Sequence, residues 1–253
     1  MSEAAAAPIL IGNPVSPYVR KVLVACELKG LAPRLDPIIA FMGTDEFTEV
    51  SPLRRVPVWI DDQVTLSDSS VILEYLEERW PSPSMLPSTP ADRARARWLE
   101  EFADTRLGDL FVWRLFYQCI IRPFVFGEET DRAVVARVIE TEAPAAFDYL
   151  ESQLPAEGFF FGSLTNADVA VAAPFANARW ARLEPDPARW PRLVGWLDRI
   201  DKATPLGRLN RAASKVLKTP PHEHRTLLPE LGLAVSERTW GGEAAPRPSL
   251  FAI

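Results

Sequence analysis

The sequence predicts a small α/β domain followed by an all-helical one. Three observations carry this. Short apolar runs alternate with amphipathic ones through roughly the first eighty residues, strand signals almost vanish after Ala91, and the Pro- and Ser-rich stretch "WPSPSMLPSTP" (80–90) between them has no periodicity. At 253 residues the chain exceeds the commonest single-domain length, which agrees with two domains.

"PILIG" reads as the first strand. "SPYVRKVLVACELKG" then carries helix signals at both ends: Ser16 is a favoured N-cap, Pro17 suits the first helical position, and Gly30 suits a left-handed C-terminal residue. Val19, Val22, Leu23 and Cys26 share one face. "RLDPII" reads as a second strand, giving a βαβ unit whose crossover is right-handed. After a loosely defined segment (41–50), "VPVWID" and "VTLSD" read as two strands separated by Asp62 and Gln63. "SSVILEYLEERW" follows as a helix with Ile72, Tyr75 and Leu76 turned inward, and Pro81 ends it. There is no Gly-rich phosphate loop, so a dinucleotide fold has no support.

Beyond the linker, helices are predicted over 91–118, 131–153, 166–183, 190–201 and 205–217, with Pro144 and Pro174 kinking or shortening two of them. The tail from Thr219 has scattered Pro and Gly and weak periodicity. The resulting division is 1–81 for the first domain, 82–90 for the linker, 91–218 for the helical domain and 219–253 for an extension of unfixed order.

Composition narrows the function. The chain is 47% hydrophobic with eight Trp and thirteen Phe, ample for a core. A net charge of -6 without a basic block opposes nucleic-acid binding. No apolar run approaches a membrane span, and "MSEAAAAPIL" lacks the basic and apolar regions of a signal peptide. Cys26 and Cys119 read as two lone thiols in a reducing cytoplasm. His222 and His224 have too few partners for a metal site, so no metal is expected, and their tail reads as surface.

Four segments, in this order and spacing, resemble the cytosolic glutathione transferase superfamily. "SPYVRKV" resembles its active-site turn and first helix, and "RRVPVWIDD" resembles the loop and strand holding its cis-proline. "LSDSSVILEYL" resembles its acidic-Ser motif, and "SLTNADVAVAAP" the capping box of its helical domain. The match spans roughly 8–210. It implies a thioredoxin-like first domain that binds glutathione and a helical second domain that holds the other substrate.

Taken alone, Ser16 is most simply a helix cap. The resemblance implies that its hydroxyl faces the glutathione sulfur and stabilises the thiolate. A serine cannot form the mixed disulfides of members with cysteine here, so thiol transfer and dehydroascorbate reduction are disfavoured. The serine-rich turn of the maleylacetoacetate isomerase branch is also missing. At the second segment the resemblance implies a cis Val56–Pro57 bond, with the Val56 backbone pairing with the cysteinyl main chain and Arg55 meeting the glycyl carboxylate. Many members have glycine and then lysine or glutamine where Arg54 and Arg55 stand. At the third, Asp68 and Ser69 would otherwise only cap a helix; the resemblance places the γ-glutamyl carboxylate at Ser69 and its ammonium at Asp68. Thr165 and Asp168 form a structural capping box. Of the aromatic segment, the resemblance turns some of Trp113, Phe116 and Tyr117 towards the second substrate.

The implied function is conjugation of glutathione to an electrophilic, largely apolar small molecule by a cytoplasmic homodimer. Two alternatives stay open: a glutathione-dependent lyase cleaving an ether or dehalogenating, and a non-catalytic ligand-binding relative.

Overall fold

A computed structural model describes residues 7–242 and 245–247. The first six residues, on which the signal-peptide reading partly rests, lie outside the described residues, as does the end of the tail. The chain divides into two compact units, Met1–Pro83 with Arg208–Ile253, and Ser84–Gly207.

The first unit is built on a four-stranded mixed sheet. Strand β1 (Ile9–Ile11) lies between β2 (Arg34–Asp36), to which it is parallel, and β3 (Val58–Ile60), to which it is antiparallel; β4 (Thr65–Ser67) closes the far edge. Helix α1 (Pro17–Leu28) makes the β1–β2 crossover, as the βαβ reading requires. Its end is set by Gly30 at φ 69°, where Leu31 N–H returns to the Cys26 carbonyl at 2.8 Å. The helix is enclosed on more than the one predicted face, since Arg20 and Lys21 are buried along with Val19, Val22, Leu23 and Cys26. The segment left undefined at 41–50 contains a short helix, α2 (Asp45–Val50). After the β3–β4 hairpin comes α3 (Ser69–Arg79), with Ile72 and Leu76 fully buried. Tyr75, predicted inward, is only half-buried because its hydroxyl reaches out to Asp61 at 2.8 Å; Leu73 is buried instead.

In the second unit α4 (Pro90–Phe102) starts at a Thr89 cap and continues without a break into Ala103–Ile121, wound with π-type bonds, and α5 (Arg122–Val125). The helix predicted over 131–153 is three pieces: α6 (Arg132–Arg137), a π-type turn Val138–Glu142, and α7 (Ala143–Gln153). Pro144 stands where the π-type turn passes into α7, inside continuous helical backbone, so its missing N–H removes one backbone bond at the point where the winding changes. Helix α8 (Asn166–Trp180) is the centre of the unit, buried along nearly its whole length and carrying Pro174 inside it. Phe175 on α8 meets Phe111 at 5.2 Å and Phe147 at 5.8 Å between ring centroids, and Phe147 meets Trp190 at 5.0 Å. Asp168 fixes the start of α8 by accepting from the Thr165 N–H and hydroxyl and from the Phe160 N–H. Helix α9 (Pro191–Ala203) completes the unit, and α10 (Pro205–Leu217) begins at its end but belongs mostly to the first unit.

The segment after Thr219 is part of the first unit. It holds a short helix, α11 (His224–Glu230), and then runs along the outer edge of β2. Leu35 N–H donates to the Ala234 carbonyl and Ser236 N–H to the Leu35 carbonyl, both at 2.8 Å, which covers an otherwise open sheet edge. Trp240 enters the core formed by Ile11, Ile38, Phe47 and Val58. The buried Asp36 carboxylate accepts from Arg225 at 2.9 Å and from the Trp240 N–H at 2.7 Å. His224, read from the sequence as surface, is buried at 4% exposure.

Candidate functional site

Strand register gathers three of the predicted segments. Ile11 pairs with Val58, and Val58 with Ser67. The chain therefore leaves β1 towards Ser16, enters β3 from Arg55–Pro57, and leaves β4 towards Asp68 at one end of the sheet. Gly12 shows how close two of these segments come: a Cβ there would lie 2.5 Å from Val19 Cγ2 and 2.9 Å from Val56 Cβ. The Asp68 N–H also donates to the Pro57 carbonyl at 3.4 Å.

Ser16 occupies the N-cap of α1, and its carbonyl accepts from the Arg20 N–H at 3.2 Å. Its hydroxyl, however, makes no capping bond to the helix. The side chain is half-buried at the positive end of α1. The loop before it is tightly held. Asn13 accepts from the Val15 N–H through its side chain and from the Ser16 N–H through its carbonyl, both at 3.0 Å. Arg20, fully buried, turns back from α1 and donates to the carbonyls of Pro14 and Val15 at 2.8 and 2.9 Å. Burial pulls its pKa down.

The Val56–Pro57 bond is cis, as the resemblance implies, and so is Ser82–Pro83, which it does not. The sheet ladder begins at Val58, so Val56 lies just outside it. Structure separates the two arginines. Arg54 sits at φ 51°, the left-handed conformation natural to the glycine many members have there. Its guanidinium holds the Thr48 hydroxyl at 2.6 Å and the Gly43 carbonyl at 2.8 Å, and it is buried. Arg55 is half-buried, its backbone clamped on both sides by the Ser51 hydroxyl.

Asp68 caps α3, accepting from the Ser70 N–H at 2.9 Å through one carboxylate oxygen. It does so at φ 97°, a strained conformation for a residue with a side chain, and remains exposed. Ser69 opens the helix and is buried at 4% exposure.

Phe116 is core: it is 3% exposed and lies 6.0 Å from the Trp180 ring. Trp113 and Tyr117 are half-buried. Burial raises the pKa of both thiols, Cys26 and Cys119, which keeps them protonated. Among the described residues no group of three or more His, Cys, Asp or Glu could hold a metal ion, and no helix is long and apolar enough to cross a membrane. Gly12, Asn13 and Arg20 escape sequence reasoning. The partners of Arg20 are backbone carbonyls, and the close approach at Gly12 is made by Val19 and Val56, so neither leaves a pattern in the sequence.

Two family models match the chain: the glutathione S-transferase N-terminal domain over residues 10–84 and the C-terminal domain over 122–199. Glutathione S-transferase U3 of Arabidopsis thaliana is 27% identical over 209 residues, covering 79% of this chain and 87% of that protein. The apo form of human glutathione-S-transferase T1-1 shares the fold, with a TM-score of 0.73 at 21% identity over 89% of this chain and 98% of that one. So does the glutathione transferase URE2P8 from Phanerochaete chrysosporium with oxidized glutathione, with a TM-score of 0.71 at 19% identity over 87% and 100% of the two chains. The chain belongs to the cytosolic glutathione transferase superfamily, with a thioredoxin-like first domain and a helical second one.

Proposed function

We propose that this glutathione transferase conjugates the glutathione thiolate to an electrophilic, largely apolar small molecule, with Ser16 as the catalytic residue. The observation that carries this is the Ser16 hydroxyl: it stands at the N-cap of α1 yet is not spent on capping. A free thiol has a pKa near ~8.5, so only a few per cent is ionised at neutral pH. A hydrogen bond to the charged sulfur contributes roughly 1.5–3 kcal/mol. The helix terminus adds about 0.3–1 kcal/mol. Together these lower the thiol pKa by about one to three units. Ionisation then gains roughly tenfold in nucleophile, and any further acceleration comes from holding the electrophile in place.

Glutathione lies across the sheet end in this reading. Val56 pairs through its backbone with the cysteinyl unit as an added strand. The commitment of Arg54 to Gly43 and Thr48 supports Arg55 as the partner of the glycyl carboxylate. The buried Ser69 at the start of α3 receives the γ-glutamyl carboxylate, and the exposed Asp68 its ammonium. The strain at Asp68 supports a role beyond capping, for which a relaxed residue would serve.

The enzyme acts as a homodimer in the cytoplasm, where the unpaired Cys26 and Cys119 stay reduced. Turnover of 1-chloro-2,4-dinitrobenzene tests the reading. Ser16→Ala is expected to lose about tenfold or more in kcat while still binding immobilised glutathione. A Ser16→Ala variant as active as the wild type would overturn it.

A further inference from the structure

A chain of hydrogen bonds reaches from the C-terminal segment to the loop that carries Ser16. His224 Nε2 lies 2.9 Å from the Thr219 carbonyl, which can only accept, so the Nε2 hydrogen is there. Nδ1 is then a bare acceptor, 2.9 Å from Asn13 Nδ2. The orientation of Asn13 is fixed in turn: its Oδ1 must face the Val15 N–H, and its second amide hydrogen meets the Pro37 carbonyl at 3.2 Å. Its own carbonyl accepts from the Ser16 N–H. Asn13 is 5% and His224 4% exposed, so water does not substitute readily for either partner. They are 211 residues apart in sequence.

We propose that His224 is a positioning residue for the reaction, setting the Ser16 hydroxyl through Asn13 and the turn at 13–16. This rests on the catalytic role of Ser16 proposed above. Arg20 holds the carbonyl side of the same turn, at Pro14 and Val15, while Asn13 holds its amide side. Loss of either anchor lets the hydroxyl drift from the sulfur and forfeits up to the roughly tenfold in rate that its hydrogen bond to the thiolate supplies. The glutathione-binding backbone at Val56 and the residues Asp68 and Ser69 lie on other loops and keep their places. The defect therefore falls on kcat and on ionisation of the bound thiol, not on glutathione affinity.

The test compares His224→Phe, which keeps a ring and loses both polar atoms, with His224→Gln, which offers one acceptor and one donor. Turnover of 1-chloro-2,4-dinitrobenzene and the ultraviolet titration of bound glutathione thiolate are measured alongside thermal unfolding. His224→Phe is expected to lower kcat about tenfold and raise the bound-thiol pKa by about one unit, with KM for glutathione within about twofold of wild type. His224→Gln is expected to restore most of both. Asn13→Ser attacks the chain from the other end, serves if the Phe variant does not fold, and is expected to show the same losses. In the double variant the losses should not add. Wild-type kcat and thiol ionisation in folded His224→Phe or Asn13→Ser, or a Gln variant as impaired as the Phe one, would overturn the proposal. Ser16→Ala run in parallel separates the two readings: if it is inactive while the His224 and Asn13 variants are fully active, only the positioning role fails.

Discussion

Replacing Glu142 by glutamine tests how the helical unit is held at its π-wound turn. The carboxylate is gripped by Arg114 through both oxygens, at 2.8 and 2.9 Å, with Arg137 at 3.0 Å and Arg106 at 3.1 Å. The Arg114 guanidinium, more than any other group, holds the Glu142 pKa down from 4.5 to about 2. Taken whole, that difference corresponds to about 3 kcal/mol. Glu142 is mostly buried, but Arg106 and Arg137 are 39% and 74% exposed, and solvent screens their share. We therefore expect Glu142→Gln to cost about 1–2 kcal/mol at neutral pH, a Tm loss of roughly 3–8 °C. The sign with pH follows from linkage. A carboxyl whose folded pKa is depressed stabilises above its unfolded value and loses that contribution as pH falls through the folded one. The gap between wild type and variant should stay constant from about pH 7 to 5 and shrink below about 4.5. Thermal unfolding followed by circular dichroism across that range reads it directly. A variant within about 1 °C of wild type at pH 7, or a gap that persists unchanged into acid, would refute the reasoning.

Two further substitutions probe the elements around the proposed site. Gly12→Ala places a Cβ against Val19 and Val56 at φ 140°, combining backbone strain of about 1–3 kcal/mol with a similar overpacking cost; denaturant unfolding should show the loss, and retention on immobilised glutathione should fall with it, whereas an unchanged midpoint would contradict the close approach. Trp240→Ala empties the core beneath the C-terminal segment and should cost about 3–5 kcal/mol in the same experiment; a loss under about 1 kcal/mol would mean the segment adds little to the first unit.

What could be read from the sequence was what is encoded locally. Ser16, Pro17 and Gly30 punctuate α1, and the Val56–Pro57 and Asp68–Ser69 segments stand out because their chemistry is written in adjacent residues. The path of the tail was not legible, because its anchors are distant: Leu35 with Ala234, Asp36 with Arg225, Asn13 with His224. Nor could the two arginines be told apart. Arg54 and Arg55 are chemically identical, and only the left-handed backbone at Arg54 turns its guanidinium back onto Gly43. Phe116 joins the core while Trp113 and Tyr117 stay half-buried, a difference set by the winding of the long helix and by the position of Trp180. The burial of Arg20 has no sequence signal, since its partners are backbone carbonyls.

The most direct test of the central idea is the ionisation of glutathione on the enzyme, followed by thiolate absorbance against pH for wild type and Ser16→Ala. The account predicts a wild-type pKa about one to three units below the ~8.5 of a free thiol and a return most of the way towards it in Ser16→Ala. Equal titration curves for the two proteins would contradict it.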